Sequence, residues 1–325
     1  MFATRDKLEE FVKLGELGIK QQIVNTIASV ITNYYAIVRQ KQQLKAINDQ
    51  IQLSAERVKL AQYKLDIGVG AKPDVLQSKV DLNAQKAAYL SQETIMSQLR
   101  EQLNQLINIE PESKYLVSDT ILINMNVSLG DIQESLENNN PDLLITKKNI
   151  DIGLLTLKER KADRFPTVSL NSGYTFNRTN NKATVNPFQP LFSRNFGRNL
   201  GFTIAVPILN NFTTKRLIKQ SAIDIQYQQL FFENQKSILN LNVINAYKDY
   251  ELQKRALALE EENIVLANEN VAIVFEVYKL NSTTLIQLKE AQKSLEDAQT
   301  RLINARYNTK LAETELLRLK GEIIK

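Results

Sequence analysis

Tyr63-Lys64-Leu65-Asp66-Ile67-Gly68-Val69-Gly70-Ala71-Lys72-Pro73-Asp74 reads as a tight turn between two long helical runs. A shorter version recurs as Tyr278-Lys279-Leu280-Asn281-Ser282-Thr283-Thr284. After each turn the residues at alternating steps of three and four form matching lines. The first is Val75, Ser78, Leu82, Gln85, Tyr89, Gln92, Met96, Leu99, Leu103 and Leu106. The second is Leu288, Ala291, Leu295, Ala298, Leu302, Ala305, Thr309, Ala312, Leu316 and Leu319, each 213 positions after its counterpart. Counting in sevens from the first residue, both lines are apolar except at Thr309. This is a heptad seam duplicated in register, as expected of long antiparallel helical hairpins with coiled-coil-like packing.

Upstream of the first turn, residues 7 to 65 read as one helix of about 85 Å, with Gly15 and Gly18 its weak points. Ile23, Ile27, Val30, Tyr34, Ile37, Leu44 and Ile51 supply its burial face. Upstream of the second turn, residues 213 to 280 read as another helix of about 100 Å, with Leu257, Ile264, Val271 and Tyr278 spaced in sevens. Phe212-Thr213-Thr214-Lys215 matches Phe2-Ala3-Thr4-Arg5, and Asn245-Ala246-Tyr247 matches Asn33-Tyr34-Tyr35. The expected organisation is two structural repeats, residues 1 to 128 and 129 to 325. The return helix of the first repeat should end near Leu106, with Pro111 closing it and an irregular connector over 109 to 128.

The period changes in the second repeat. A helix begins near Leu129, breaks at Asn138-Asn139-Asn140, and resumes at Pro141, which is tolerated in a first helical turn. From Pro166 to Asn177 the residues alternate, with Val168, Leu170, Tyr174 and Phe176 apolar and Thr167, Ser169, Asn171 and Thr175 polar. A second alternating run, 199 to 207, places Leu200, Phe202, Ile204 and Val206 on one face and ends at Pro207. Two strands of about ten residues with one apolar face fit transmembrane β-strands. The pattern alone fits a hairpin lying on a soluble core equally well.

Composition narrows the function. The 325 residues include only 10 Gly and 7 Pro, as long helices require, and no Cys or His. Disulfides, thiolate metal sites and His-based triads are excluded. The net charge of +5 is read as spread along the helices without a basic block, which sets nucleic acid aside as a partner. No run of 18 apolar residues exists, which excludes an ordinary transmembrane helix. The N-terminus, Met1 to Lys7, lacks the apolar core of a signal peptide, so as written the chain would stay in the cytosol. Asp66, Asp74 and Glu290 could be imagined as an acid/base pair, but carboxylates near helix starts serve as dipole-stabilising caps. No phosphate loop, metal spacing or cofactor motif is present, and the chain is not read as an enzyme.

Three groups of residues resemble the TolC-like outer membrane efflux proteins. They are Tyr63-Lys64-Leu65 with Gly68 and Asp74-Val75-Leu76, the stretch from Asn140-Pro141-Asp142-Leu143 to Phe165-Pro166, and Phe202 to Phe212. The resemblance implies a mainly α protomer whose β-hairpin joins a trimeric transmembrane β-barrel. It implies a homotrimer located in the outer membrane with a periplasmic extension. That trimer would act as a passive duct for small molecules or proteins, with a periplasmic adaptor and an inner-membrane pump as partners and no cofactor. By the same resemblance, Asp74, Gln287 and Glu290 stand at the periplasmic gate, where Gln287 replaces an acidic residue. Gly68, Val69, Gly70, Asn281, Ser282 and Thr283 stand at the adaptor-contacting tip. Val168, Leu170, Tyr174, Phe176, Leu200, Phe202, Ile204 and Val206 would face lipid. A counterpart of residues 129 to 211 is expected ahead of Phe2, so the chain reads as an N-terminally truncated member. The rival expectations are a soluble coiled-coil scaffold, which would pack the hairpin's apolar face on its own protein, and the periplasmic adaptor itself, which should show β-rich segments flanking a single hairpin.

Overall fold

The computed structural model describes residues 2–113, 115–183, 186–188 and 190–323. Met1, one position of the connector, three positions of the polar loop expected over 178–198, and the last two residues lie outside them. In order, the elements are α1 (Phe2–Asp66), α2 (Lys72–Leu106), α3 (Leu129–Asn139), α4 (Pro141–Ala162), β1 (Thr167–Asn180), β2 (Phe192–Ala205), α5 (Thr213–Lys279) and α6 (Leu285–Lys320). The chain is mainly helical with a single antiparallel strand pair among the described residues. No described helix is long and apolar enough to cross a membrane. In space the chain forms two compact units, one of residues through Leu14 with Thr146–Phe232, the other of Gly15–Ile145 with Glu233–Lys325.

In the larger unit the two duplicated seams are covered unequally. All ten α6 seam residues, Leu288 through Leu319, are buried. On α2 only Val75, Ser78 and Leu103 are buried, and the other seven are half-buried. Val271, Ala291 and Leu295 pack together with Leu53, Ile264, Ala267 and Val274 around them. Farther along, Leu257 meets Leu302 and Ala305. Alanine on alternate seam steps lets helices approach closely, while the leucines between them fill the gaps.

The connector after α2 is irregular, as its lack of period requires. α2 ends five residues before Pro111, because Asn108 turns left-handed at φ 54°, and a polar side chain tolerates that backbone. The following strip is held by polar contacts to three helices. Lys41 Nζ donates to Val117 O at 3.0 Å, Ser118 N to Tyr34 Oη at 3.0 Å, Asn124 N to Glu313 Oε2 at 3.0 Å, and Tyr250 Oη to Asn124 O at 2.7 Å. Ile121 joins the cluster of Ile37, Val38 and Leu103. Asn140 caps α4 by accepting from Asp142 N and Leu143 N, and its amide donates to Leu319 O at 2.8 Å. Gly321 ends α6 at φ 76°, where any Cβ would stand 2.4 Å from Asn139 O.

The smaller unit carries the hairpin. Thr4 Oγ1 donates to Glu159 Oε1 at 2.9 Å, Lys7 pairs with the same carboxylate, and Lys148 pairs with Glu10 at 2.7 Å. Each strand is 14 residues long, longer than the ten expected. Pairing runs from Thr167↔Ala205 to Asn180↔Phe192 without a bulge. The added residues continue the period-two alternation, but Arg178, Arg194 and Arg198 interrupt its apolar face and hide it from a hydrophobicity reading. At the other end β2 stops at Ala205, two residues before Pro207, which has no N–H for a ladder. Val206 therefore lies just past the strand rather than within it.

Candidate functional site

At the first tip the chain leaves α1 through a glycine turn. Val69 N and Gly70 N both donate to Lys64 O, at 2.9 and 2.8 Å. Gly68 takes φ 81°, and a Cβ on Gly70 would lie 2.8 Å from Leu65 N and 2.9 Å from Lys64 C. Both glycines are thus required for separate reasons, one for its backbone angle and one for a close approach. Ala71 precedes α2 without a side-chain cap, so Asp74 in the first turn supplies the charge that favours the exposed N–H groups.

The second tip is closed differently. Asn281 adopts φ 60° and Ser282 N donates to Val277 O at 3.0 Å. Thr284 and Gln287 form a capping box, with Gln287 N donating to Thr284 Oγ1 at 3.3 Å and Thr284 N to Gln287 Oε1 at 3.2 Å. Gln287 is thereby tied to its own helix start. Gln287 and Glu290 are exposed and Asp74 is half-buried. Gly68, Val69, Asn281 and Ser282 are exposed, while Gly70 and Thr283 are half-buried.

The repeated Tyr-Lys-Leu motif meets its other copy here. Lys64, 6% exposed, donates from Nζ to Tyr278 O and lies 3.7 Å above the Tyr278 ring. Burial lowers the Lys64 pKa, opposed by the charge of Asp74; burial and Asp74 both raise that of Tyr278. The equivalent residues behave oppositely. Tyr63 is 60% exposed, and Lys279 reaches out to Glu276 at 2.7 Å. One copy of the motif supplies its lysine to the core and the other its tyrosine.

Beyond the tips lies a charged cluster that a periodicity reading passes over. Arg57 of α1, 3% exposed, donates from Nη2 to Asp81 Oδ2 of α2 at 2.9 Å and from Nη1 to Gln292 Oε1 of α6 at 2.7 Å. Lys289 and Gln77 complete the Asp81 Oδ1 shell at 3.0 and 2.9 Å. Burial works to raise the Asp81 pKa, but hydrogen bonds from Lys289 and Gln77 with the Arg57 charge outweigh it and leave it lowered. Arg57 Nε, Gln292 Nε2 and Ser78 Oγ are buried without a partner among the described residues. The cluster ties three helices just above the tips and has polar capacity to spare.

The hairpin has two dissimilar faces. The register puts Val168, Leu170, Ser172, Tyr174 and Phe176 opposite Ile204, Phe202, Leu200, Arg198 and Phe196. The reverse face carries Thr167, Ser169, Asn171, Gly173 and Thr175 against Ala205, Thr203, Gly201, Asn199 and Gly197. The apolar side chains stay exposed, from Phe176 at 49% to Leu200 at 77%, so the chain does not cover them itself. No group of acidic residues suited to a metal ion occurs among the described residues.

A family model for outer membrane efflux proteins matches residues 132–322. The chain is similar to the outer membrane efflux protein BepC of Brucella suis biovar 1, 19% identical over 303 residues, covering 92% of this chain and 64% of that protein. It is similar to the outer membrane protein TolC of Vibrio cholerae serotype O1, 20% identical over 302 residues, covering 91% of this chain and 68% of that one. The chain thus spans less than two thirds of the Brucella protein. The open-state structure of the Neisseria gonorrhoeae MtrE outer membrane channel matches with a TM-score of 0.77 at 15% identity, over 99% of this chain and 72% of that chain. That likeness bears on the fold alone. The family match extends over more than half of the sequence, from α3 through the hairpin to the end of α6, and the chain belongs to the outer membrane efflux protein family.

Proposed function

We propose that the chain is the channel-tunnel component of an efflux or type I secretion system, a passive duct assembled from three copies. Membership of its family places it in the outer membrane with a periplasmic extension. On this reading β1 and β2 join a shared barrel. Val168, Leu170, Tyr174, Phe176, Leu200, Phe202 and Ile204 face lipid, with Val206 just below them, and the polar face lines the lumen. The tips, Gly68 to Gly70 and Asn281 to Thr283, meet a periplasmic adaptor that couples the duct to an inner-membrane pump. Asp74, Gln287 and Glu290 border the gate. The repeats 1–128 and 129–325 are its two related halves. Nothing that passes is chemically changed.

One observation carries the reading: a chain of this family leaves two apolar surfaces open that need different partners. The hairpin face suits lipid. On α5, Ile238, Leu252, Leu259, Leu266 and Ile273 recur in multiples of seven and are all exposed, with exposed Leu280 just past its end, on a helix whose Leu257, Val271 and Tyr278 are buried. A second seam on a helix already packed calls for another helix, which a neighbouring copy supplies. The soluble-scaffold alternative requires the hairpin face to pack on its own protein, and within this chain that face is uncovered. MtrE, the relative caught in an open state, shows that a channel with this fold opens. Here opening would separate the tips, driven by an adaptor that binds the open form better.

Fractionation and planar-bilayer recording test this. A detergent-requiring trimer in the outer membrane with a small resting conductance is expected, and Asp74→Asn should raise that conductance by loosening the tip. A fully soluble dimer would overturn the duct. An Asp74→Asn channel that conducts like the parent would remove Asp74 from the gate.

A further inference from the structure

The spread of charge expected from composition fails in one segment. Between Asp163 and Asp224 there is no acidic residue, while Arg164, Arg178, Lys182, Arg194, Arg198, Lys215, Arg216 and Lys219 are all basic. Three of these are brought together by the strand register. Arg178 pairs with Arg194, and Arg198 pairs with Tyr174, so all three project from the apolar face at its loop end. Each guanidinium rests by an aromatic ring of that same face: Arg178 5.5 Å from Phe192, Arg194 5.2 Å from Phe176 and Arg198 6.0 Å from Tyr174. All three arginines are exposed, and among the described residues no carboxylate pairs with them.

We infer that Arg178, Arg194 and Arg198 bind phosphate-bearing head groups of the membrane lipids surrounding the loop end of the hairpin. The inference rests on the lipid-facing reading of β1 and β2. From Val168 to Arg178 is ten residues, which at the usual rise and tilt is about 25 Å along the membrane normal, the height of an apolar band. The Arg178–Arg194 rung therefore falls at the edge of that band, where head groups lie, beside the aromatic residues typical of such edges. Arg198 starts about 10 Å deeper, and its long side chain extends toward the same level. Two guanidiniums directly opposite each other across a strand pair repel, an arrangement that an anion between them turns to advantage. The guanidinium fork matches phosphate oxygens bidentately, and the rings beneath pre-orient it.

The chain contains no tryptophan, so Leu170→Trp creates a single emitter that reports the lipid contact separately. The full chain is reconstituted in phosphatidylcholine vesicles holding a small fraction of spin-labelled phosphatidylglycerol or spin-labelled phosphatidylcholine, and the immobilised lipid is measured by electron spin resonance. The expected result is a preference for the anionic lipid of about fivefold, weakening as salt rises. Replacing all three arginines by Gln should abolish it, replacing them by Lys should keep most of it, and Arg255→Gln on α5 should leave it unchanged. Each variant is also made in the Leu170→Trp background, where quenching of the indole emission by brominated acyl chains confirms that the hairpin is inserted. Quenching with no lipid preference, or a preference that survives the triple Gln variant, overturns the inference and leaves the lipid-facing reading intact. Absence of quenching overturns both. Full displacement of the lipid by inorganic phosphate would assign the arginines to free anions and overturn it as well.

Discussion

Arg57 is 3% exposed, and Asp81 is the carboxylate that pairs with its guanidinium inside the helical packing. A buried charge left alone is far costlier than a pair, so removing Asp81 should cost more than the bond it makes. Asp81→Asn is expected to lower stability at neutral pH by about 3 kcal/mol, read as a shift in the urea midpoint. The pH dependence has a definite sign. The folded-state pKa of Asp81 lies below its ordinary value, so its contribution is full above the unfolded pKa of about 4 and is lost as pH falls through the folded value. The gap between parent and Asp81→Asn should therefore close on acidification. A gap as wide at low pH as at pH 7 would show that the carboxylate's charge is not what matters there.

Elements were legible where one period persists. The seams located α2 and α6, and the switch from period 3.6 to period two located the hairpin, because burial on one face writes itself into spacing. The ends were less legible. α1 begins at Phe2 rather than near Lys7, since Phe2-Ala3-Thr4 carries no spacing of its own, and the strands outran the expected runs because Arg178, Arg194 and Arg198 interrupt the apolar row. Within the site, the glycine turn and Asn281 were readable from local backbone chemistry. The Arg57–Asp81–Lys289 cluster was not, since charged residues on three separate helices look like solvated faces until packing joins them. Nor could the sequence distinguish Lys64 from Lys279, as the two copies of the motif are identical. The exposed α5 seam has its own consequence. Leu259→Glu with Leu266→Glu places charge on the open face without touching buried Leu257 or Val271. The variant should keep its helical circular dichroism while its trimer, measured by sedimentation in detergent, dissociates to monomers. A variant trimer as stable as the parent would remove this seam from the subunit interface.

For the whole molecule, net charge and the charge that governs transport are different quantities. The chain carries +5, yet much of its basic excess sits between Arg164 and Lys219, in and beside a hairpin free of acidic residues. At the proposed gate stand two carboxylates, Asp74, half-buried in the first turn of α2, and Glu290, exposed in the second turn of α6. In a trimer these make six carboxylates around one aperture, and Gln287, neutral and held in its capping box, adds none. A constriction with low-dielectric walls concentrates the field of the groups that line it, so the ring rather than the protein's total decides which ion passes. The duct should therefore prefer cations despite its basic sequence. Reversal potentials across a potassium chloride gradient would read this directly. Asp74→Asn with Glu290→Gln should shift the potential toward zero, and high salt should shrink the parent's preference by screening. An anion preference in the parent channel, or a cation preference untouched by the double substitution, would place the constriction elsewhere along the duct.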